Sequence, residues 1–283
     1  MQILTTLPSL TAQAEQWRTE GQRIALVPTM GYFHEGHLSL MRRARSLADR
    51  VVVSRFVNPT QFGPTEDLDS YPRDAERDIA LAGAEGVDAL FQPAPESMYA
   101  PDHATWVEVP ALSSVLCGAS RPVHFRGVCT VVLKLFHLAR PHVAVFGEKD
   151  WQQLTVIRRM VRDLNVGVDI VGHPIVREAD GLALSSRNAY LTAKERAQAP
   201  NIYKGLLAVA DSVRQGERDA TTLLDDFKER LKREVPLGEP DYLSIVHPDT
   251  LQNLTKLTDA ALIAVAVRLG RARLIDNLRL LPL

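Results

Sequence analysis

Short apolar runs alternate with stretches of helical periodicity through the first two-thirds of the chain, and this alternation constrains the fold more than any other feature. Five runs are apolar almost throughout, as buried strands are: residues 24–27, 51–57, 87–91, 142–146 and 168–171. Apolar strands separated by helices favour a parallel sheet that is covered on both faces. The sequence therefore predicts an α/β fold built on a doubly wound, Rossmann-like parallel sheet.

The segments between these strands carry the periodicity of helices. Leu38, Met41, Ala44 and Ala48 recur at steps of three and four residues, which predicts a helix after the first strand. Further helices are predicted over the ranges 73–85, 125–139 and 151–164. In such a fold, ligands bind in loops at the carboxyl ends of the strands.

The pattern changes after about residue 176. Thr192 and Glu195 form a capping-box sequence that should open a helix, and Gly216 suits its end. A second helix is predicted over 220–234, and strand-like pieces follow at 242–246, 262–267 and 273–275. We expect two domains, a Rossmann-like one over 1–176 and a smaller α+β one over 177–283, joined by the irregular segment 177–191.

The length and charge of the chain narrow its functional class. The chain has 283 residues, which suits two domains better than one compact core. Its 33 basic and 34 acidic residues nearly cancel, so no basic excess points to nucleic acid. No apolar run approaches the length of a membrane span. Two cysteines, Cys117 and Cys129, make no disulfide framework and fit a cytoplasmic protein.

Two histidines lie at the predicted turn between the first strand and the first helix, in His34-Glu35-Gly36-His37. The start of a helix presents unpaired N–H groups and a partial positive charge, which suits a phosphate. Gly36 keeps the backbone bare, and imidazoles three residues apart can face one ligand. A zinc-protease site is disfavoured, because His-Glu-x-x-His has one more residue between its histidines. Two ordinary, partly exposed histidines are the alternative.

The same four residues resemble the His-x-Gly-His signature of the nucleotidylyltransferase superfamily. Other runs narrow the resemblance to the pantothenate synthetase family: they cover residues 28–31, 56–62, 124–128, 146–153, 180–188 and 273–277, in order and with family-like spacing. Two positions depart from the family pattern, because Thr60 stands where Met is more common and Val123 where Gly is more common. Thr60 adjoins the expected pantoate pocket, whose hydrophobic wall could differ slightly.

The resemblance implies an ATP-dependent ligase with two half-reactions. ATP activates the carboxylate of pantoate to give pantoyl adenylate and pyrophosphate, and β-alanine then attacks the adenylate to give pantothenate and AMP. ATP with Mg²⁺, a cytoplasmic location and a homodimer are implied as well. Magnesium usually keeps waters and phosphate oxygens as ligands, so no metal-ligating residues are predicted. A different nucleotidylyltransferase and a nucleotide-binding regulator without turnover are the alternatives, and the 58–62 run and the retained reactive groups disfavour them.

The resemblance also assigns residues to roles. His37, His34 and Lys149 are the expected catalytic residues. The residues expected to contact ATP are Met30, Gly31, His34, His37, Gly147, Lys149, Asp150, Val176, Leu184, Ser185, Ser186 and Arg187. The residues expected to hold pantoate are Asn58, Gln61 and Gln153.

Three further assignments rest on local pattern. Asp150 and Gln153 also form an Asp-x-x-Gln pattern, which by itself predicts a helix cap. Arg126 stays open between binding the substrate carboxylate or β-alanine and capping the following helix. Glu35 is expected to be a solvent-facing charge at a helix start.

Overall fold

The larger of two sheets is parallel, as the five apolar runs predicted, and it contains one strand more than those runs. The structure is a computed structural model that describes residues 1–64 and 66–281. The strands lie in the order β1-β4-β3-β2-β5-β6. They are β1 (Gln2–Leu4), β2 (Ile24–Thr29), β3 (Arg50–Arg55), β4 (Ala89–Phe91), β5 (Val143–Gly147) and β6 (Asp169–His173). The predicted fold class is confirmed.

Helices connect these strands and cover the sheet. They are α1 (Leu7–Thr19), α2 (Glu35–Arg45), α3 (Ala75–Ala84), α4 (Pro95–Met98), α5 (Pro110–Ser113), α6 (Cys117–Ser120), α7 (His124–Ala139) and α8 (Trp151–Asp163). The longest, α7, is buried along most of its length because its residues are mainly apolar. Three-residue 3-10 helices at Pro59–Gln61 and Glu148–Asp150 follow β3 and β5.

The strand order reverses beside β2. This strand pairs with β3 on one side and with β5 on the other, where Leu26 lies opposite Ala144. The chain passes from β2 to β3 through α2, and returns to the other side of β2 only after β4. A crevice opens at such a reversal, beyond the carboxyl ends of the strands.

A three-stranded antiparallel sheet, three α-helices and a 3-10 helix at Ser186–Tyr190 make up the later part of the described chain. The strands β7 (Gly238–Val246), β8 (Ala261–Leu269) and β9 (Ala272–Leu281) pair in chain order. The helices are α9 (Ala193–Gln198), α10 (Pro200–Arg214) and α11 (Ala220–Glu234). A Cβ on Gly205 would come within 2.1 Å of Phe227, so α10 and α11 pack closely at this glycine. Leu262 and Ala264 of β8 belong to the same apolar cluster as α7 and α8, which joins the two sheets.

The structure departs from the sequence predictions in several elements. The helix expected to run unbroken from Thr192 to Gly216 is divided at Pro200, since proline cannot donate a helical hydrogen bond. The strand β1 and helix α1 were not predicted, nor were the short helices α4, α5 and α6. Within the described residues, no helix combines the length and apolarity needed to cross a membrane.

Candidate active site

A cleft opens beyond the carboxyl ends of β2, β3, β5 and β6, at the reversal of strand order. It brings together all but one of the residues assigned from the sequence: Met30, His34, His37, Asn58, Gln61, Gly147, Lys149, Asp150, Gln153, Val176, Leu184, Ser185, Ser186 and Arg187. The exception is Gly31, which is not among the lining residues.

Gly31 belongs instead to the turn that positions the histidines. Gly31 and Tyr32 have φ angles of 88° and 53°, in the left-handed region that glycine adopts easily. The buried carboxylate of Asp78 accepts hydrogen bonds from the backbone N–H groups of Tyr32 (2.8 Å) and Phe33 (2.7 Å). A Cβ on Gly31 would lie 2.9 Å from this carboxylate, so the turn requires glycine. Asp78 therefore fixes the backbone just before His34.

His34 and His37 lie side by side at the start of α2, with ring centroids 4.1 Å apart. The N–H of Gly36 donates to Nδ1 of His34 over 3.1 Å, and the N–H of His34 donates to Nδ1 of His37 over 3.3 Å. Since each Nδ1 accepts a hydrogen bond, the proton of each neutral ring is on Nε2. Gly36 leaves room for this arrangement, because a Cβ there would lie 2.9 Å from Cε1 of His34.

Both imidazoles are neutral at physiological pH. Burial, with a smaller effect of Lys149 and Arg77, lowers the pKa of His34 to about 4. Burial lowers the pKa of His37 well below its ordinary value, with further contributions from His34 and Lys149. The pair can therefore donate two N–H groups to an anion without adding positive charge of its own.

Lys149 supplies the positive charge beside these donors. It lies in the 3-10 helix that follows β5, with a side chain that is 20% exposed. Its Nζ atom lies 3.9 Å from Oδ2 of Asp150. The side chain of Asn277, in β9, donates to the backbone carbonyls of Glu148 (2.9 Å) and Lys149 (3.0 Å). The small sheet thus holds the turn from which Lys149 reaches the cleft.

Asn58 and Gln61 form a connected amide network after β3. Nδ2 of Asn58 donates to Oε1 of Gln61 and to the backbone carbonyl of Gly127, both over 3.1 Å. The hydroxyl of Thr60 donates to Oδ1 of Asn58 over 3.0 Å. Nε2 of Gln61 lies 3.0 Å from Sδ of Met30. Thr60 is therefore a polar support for Asn58, and it adjoins the cleft without being one of the lining residues.

The segment from Ser185 to Arg187 closes the cleft from the other side. The hydroxyl of Ser186 lies 3.2 Å from that of Tyr71. The guanidinium of Arg187 donates to both carboxylate oxygens of Asp67, over 3.0 Å from Nε and 2.8 Å from Nη2. Residues 67–71 and 185–187 are thus joined across the mouth of the cleft.

The lining residues that were not assigned from the sequence include Arg121 and His124. Arg121 forms a bidentate pair with Glu66, over 2.6 and 2.7 Å. His124 donates from Nδ1 to the backbone carbonyl of Gln61 over 3.0 Å, and burial lowers its pKa to about 3. Its tautomer is the reverse of that of His34. His124 is the first residue of the family-like run 124–128, so membership of that run could have marked it as a candidate site residue.

Of the three residues that were assigned from local pattern, Asp150 and Arg126 differ from the expectation and Glu35 agrees with it. Asp150 occupies the N-cap position of α8, as the Asp-x-x-Gln pattern predicted, but its side chain bonds no N–H of the helix. Arg126 lies within α7 and outside the cleft, with its guanidinium carbon 4.9 Å from the Trp106 ring. Arg126 does not cap α7, because it lies after the start of this helix and the helix has no side-chain capping bond. Glu35 is half-exposed, as expected, and pairs with Arg42 over 2.6 Å.

Known proteins that are similar to this chain match it along almost its whole length. The family profile described as Pantoate-beta-alanine ligase matches residues 2–279. A pantothenate synthetase of Nitratidesulfovibrio vulgaris (strain DSM 19637 / Miyazaki F) is 62% identical over 280 residues, covering 99% of each chain.

Solved structures give the same result. That of pantothenate synthetase from Thermus thermophilus has a TM-score of 0.94 at 50% identity, covering 100% of both chains. The pantoate-beta-alanine ligase of Francisella tularensis, solved as a complex with "Beta-gamma ATP and Beta-alanine", has a TM-score of 0.81 at 32% identity. Its alignment covers 99% of this chain and 98% of that one.

Proposed function

The chain belongs to the pantoate–β-alanine ligase family, and from that premise we propose that it joins pantoate to β-alanine in an ATP-dependent reaction. One observation carries the proposal for the site. The neutral donor pair of His34 and His37, the cation of Lys149 and the amides of Gln61 and Gln153 all face one cleft. These groups match an anionic nucleotide on one side and a hydroxylated acid on the other.

The first half-reaction has a charge problem that these residues address. An anionic pantoate carboxylate must attack the anionic α-phosphate of ATP, so the oxygens of that phosphate gain charge as the bond to pyrophosphate breaks. Nε2–H donors on His34 and His37 and the ammonium of Lys149 stabilise this charge. Ser185, Ser186 and Arg187 hold the remaining phosphates, and pyrophosphate leaves past them.

The acid is held by uncharged groups. Gln61 and Gln153 bind the hydroxyls and carboxylate of pantoate, and Asn58 fixes Gln61 through its amide. Met30, Gly147, Val176 and Leu184 complete the walls, with contacts to ATP largely through backbone. After the adenylate forms, the amine of β-alanine attacks its carbonyl carbon, and AMP leaves with the bridging oxygen.

Magnesium fits this cleft as a companion of the nucleotide. Among the described residues no three His, Cys, Asp or Glu side chains converge as a metal site. Asp150 alone presents a half-exposed carboxylate beside Lys149 in the wall. Magnesium typically takes one or two carboxylates and completes its shell with phosphate oxygens and waters. We assign Asp150 to that position, where the ion would neutralise phosphate charge.

The remaining assignments concern the whole molecule. We propose a boundary near residue 176, with the part that follows closing over ATP as a lid, since segment 177–191 contains no α-helix, only an isolated bridge between Arg177 and Ala183 and a 3-10 helix at Ser186–Tyr190. A mixed anhydride hydrolyses in water, so closure protects it. If ATP-free and ATP-bound structures had the same inter-domain angle, closure would be excluded. A homodimer follows from the family resemblance, and a cytoplasmic location agrees with the free thiols of Cys117 and Cys129.

Pyrophosphate release tests the function directly. The protein is mixed with ATP and magnesium, with and without pantoate, and pyrophosphate is measured. Release should depend on pantoate, and repeated turnover with AMP formation should further require β-alanine. Absence of pantoate-dependent pyrophosphate would overturn the proposal, and release with another acid alone would favour a different nucleotidylyltransferase.

A further inference from the structure

Asp67 lies outside the set of residues assigned to ATP or pantoate, yet it holds the guanidinium of Arg187 with a bidentate ion pair. The two contacts measure 3.0 Å from Nε to Oδ2 and 2.8 Å from Nη2 to Oδ1. Both side chains are 23% exposed, so solvent screens the pair less than it would at the surface. Such fork-to-fork pairs fix the plane of the guanidinium as well as its position.

The geometry of this pair leaves part of Arg187 available. A guanidinium has five N–H donors, and Asp67 receives one from Nε and one from Nη2. Within residues 1–64 and 66–281, no hydrogen-bond partner is found for Nη1 of Arg187. Arg187 also lines the cleft that contains Lys149 and the two histidines. It can therefore keep Asp67 on one edge and bind a phosphate with another.

The surrounding contacts hold both partners in place. Tyr71 lies beside the pair, with its hydroxyl 3.2 Å from that of Ser186 and its ring centroid 5.8 Å from the guanidinium carbon of Arg187. The hydroxyl of Tyr190 donates to the backbone carbonyl of Ser70 over 3.1 Å. Residues 67–71 lie in the loop after β3. They thus form a strap that is bonded to the segment that carries Ser185, Ser186 and Arg187.

We propose that Asp67 is a positioning residue for the polyphosphate of ATP, acting through Arg187. By holding one edge of the guanidinium, Asp67 directs the free edge toward the cleft before ATP arrives. Less side-chain entropy is then lost when the phosphates bind, and a donor is ready for the departing pyrophosphate. This inference rests on the proposed function only in taking ATP as the nucleotide and Arg187 as a contact of its outer phosphates.

Substitution of Asp67 by asparagine gives the first test. The introduced amide would place an N–H against an N–H of Arg187, so the bidentate pair cannot form. Calorimetric affinity for ATP should fall on the order of tenfold, as expected for coupled charged neighbours. Affinity for AMP, which lacks the outer phosphates, should stay within about twofold. The KM for ATP should rise in parallel, while the KM for pantoate stays unchanged.

Matched variants separate positioning from a general effect on folding. Asp69→Asn removes a carboxylate from the same strap, at an exposed position, and should leave both affinities unchanged. Asp67→Glu keeps the charge and both oxygens and should restore most of the ATP affinity. In an Arg187→Ala background, Asp67→Asn should have no further effect, because its route of action is gone.

Each opposite result would overturn the inference. Tighter ATP binding by Asp67→Asn would make Asp67 a competitor of the phosphates. Equal loss of ATP and AMP affinity would show a structural defect of the cleft, and a tenfold loss that persists in Arg187→Ala would exclude action through Arg187. The nucleotide affinities need no pantoate, so they stand even if the wild-type protein releases no pantoate-dependent pyrophosphate and the proposed function fails.

Discussion

His34 and His37 lie with their ring centroids 4.1 Å apart, and the backbone N–H of His34 donates to Nδ1 of His37 over 3.3 Å. The capping of α2 thereby sets the tautomer of the rings that face the cleft. Two neutral N–H donors result, because burial keeps both rings uncharged, with their single proton on Nε2. The helix start that binds an anion through its backbone thus adds side-chain donors at the same place.

Burial of neutral histidines should make the protein sensitive to mild acid. The folded-state pKa is about 4 for His34 and about 3 for His124, against an ordinary value of 6.5. Their stabilisation is complete above the ordinary value and is lost as pH falls toward the folded-state values, since the unfolded chain binds more protons in between. We expect the free energy of unfolding to fall below about pH 6.5, approaching roughly 1.4 kcal/mol per pH unit for each such histidine.

Denaturant titrations at several pH values check this, with His124→Asn as the informative variant. Asparagine can still donate to the Gln61 carbonyl, but it does not titrate. The slope of the free energy of unfolding against pH should therefore be smaller between pH 6.5 and 5 than in the wild type. His137→Asn, at an exposed position of the same helix, is the control and should keep the wild-type slope. Identical slopes in all three proteins would contradict the burial argument.

Lys149 should be needed for adenylation. We expect Lys149→Ala to lose at least on the order of 10²-fold in the rate of pantoate-dependent pyrophosphate release, the scale of one transition-state donor. Single-turnover measurement isolates this step from product release. Lys194→Ala removes an exposed lysine of α9 and should not change the rate. Near-normal adenylation by Lys149→Ala would remove Lys149 from the mechanism.

Thr60 should affect pantoate through Asn58. Thr60→Val keeps the shape but removes the hydroxyl that donates to Oδ1 of Asn58, a buried side chain. An unsatisfied buried acceptor typically costs about 1–3 kcal/mol, so kcat/KM for pantoate should fall about tenfold while the KM for ATP is unchanged. Thr60→Ser keeps the hydroxyl and should behave like the wild type. Equal kinetics of the valine and serine variants would exclude this support.

Gly127 should be required for close packing of α7 against the turn after β3. A Cβ at this position would lie 2.5 Å from the backbone oxygen of Thr60 and 2.6 Å from the backbone nitrogen of Gln61. Backbone cannot move away as a side-chain tip can, so Gly127→Ala should destabilise by about 1–3 kcal/mol in denaturant unfolding. Gly83→Ala, in α3 with nothing within 4 Å, should be neutral or slightly stabilising. A stable Gly127→Ala variant would contradict the packing.

Much of the fold was accessible from the sequence because its central strands are apolar throughout. The runs beginning at Ile24, Val51 and His142 are too apolar to be exposed to water, which indicates buried strands. The helices between these strands were predicted from the helical periodicity of their apolar residues. The first strand was missed because Gln2–Leu4 is too short for a pattern. The break at Pro200 was missed because proline is also tolerated in the first turn of a helix, so its presence alone did not mark where a new helix begins.

The residues whose own side chains line the cleft, such as His34, Lys149 and Arg187, could be predicted from the sequence. Residues that act by holding a neighbouring side chain could not be predicted. Asp67 holds Arg187, which is 120 positions away, and nothing in linear sequence places these two residues side by side. Thr60 holds Asn58, which is only two positions away, but the sequence pattern does not indicate that hydrogen bond. Gly31 shows the converse, since a family-like position can serve a turn and not line the cleft.

The fate of the carboxylate oxygen of pantoate tests the central claim most directly. Pantoate labelled with ¹⁸O in its carboxylate is incubated with ATP, magnesium and β-alanine, and the products are analysed by mass spectrometry. Attack of the carboxylate on the α-phosphate, followed by attack of the amine on the carbonyl carbon, transfers one labelled oxygen to AMP. The account predicts singly labelled AMP in equal amount to pantothenate. Unlabelled AMP, or label in inorganic phosphate together with ADP, would contradict it.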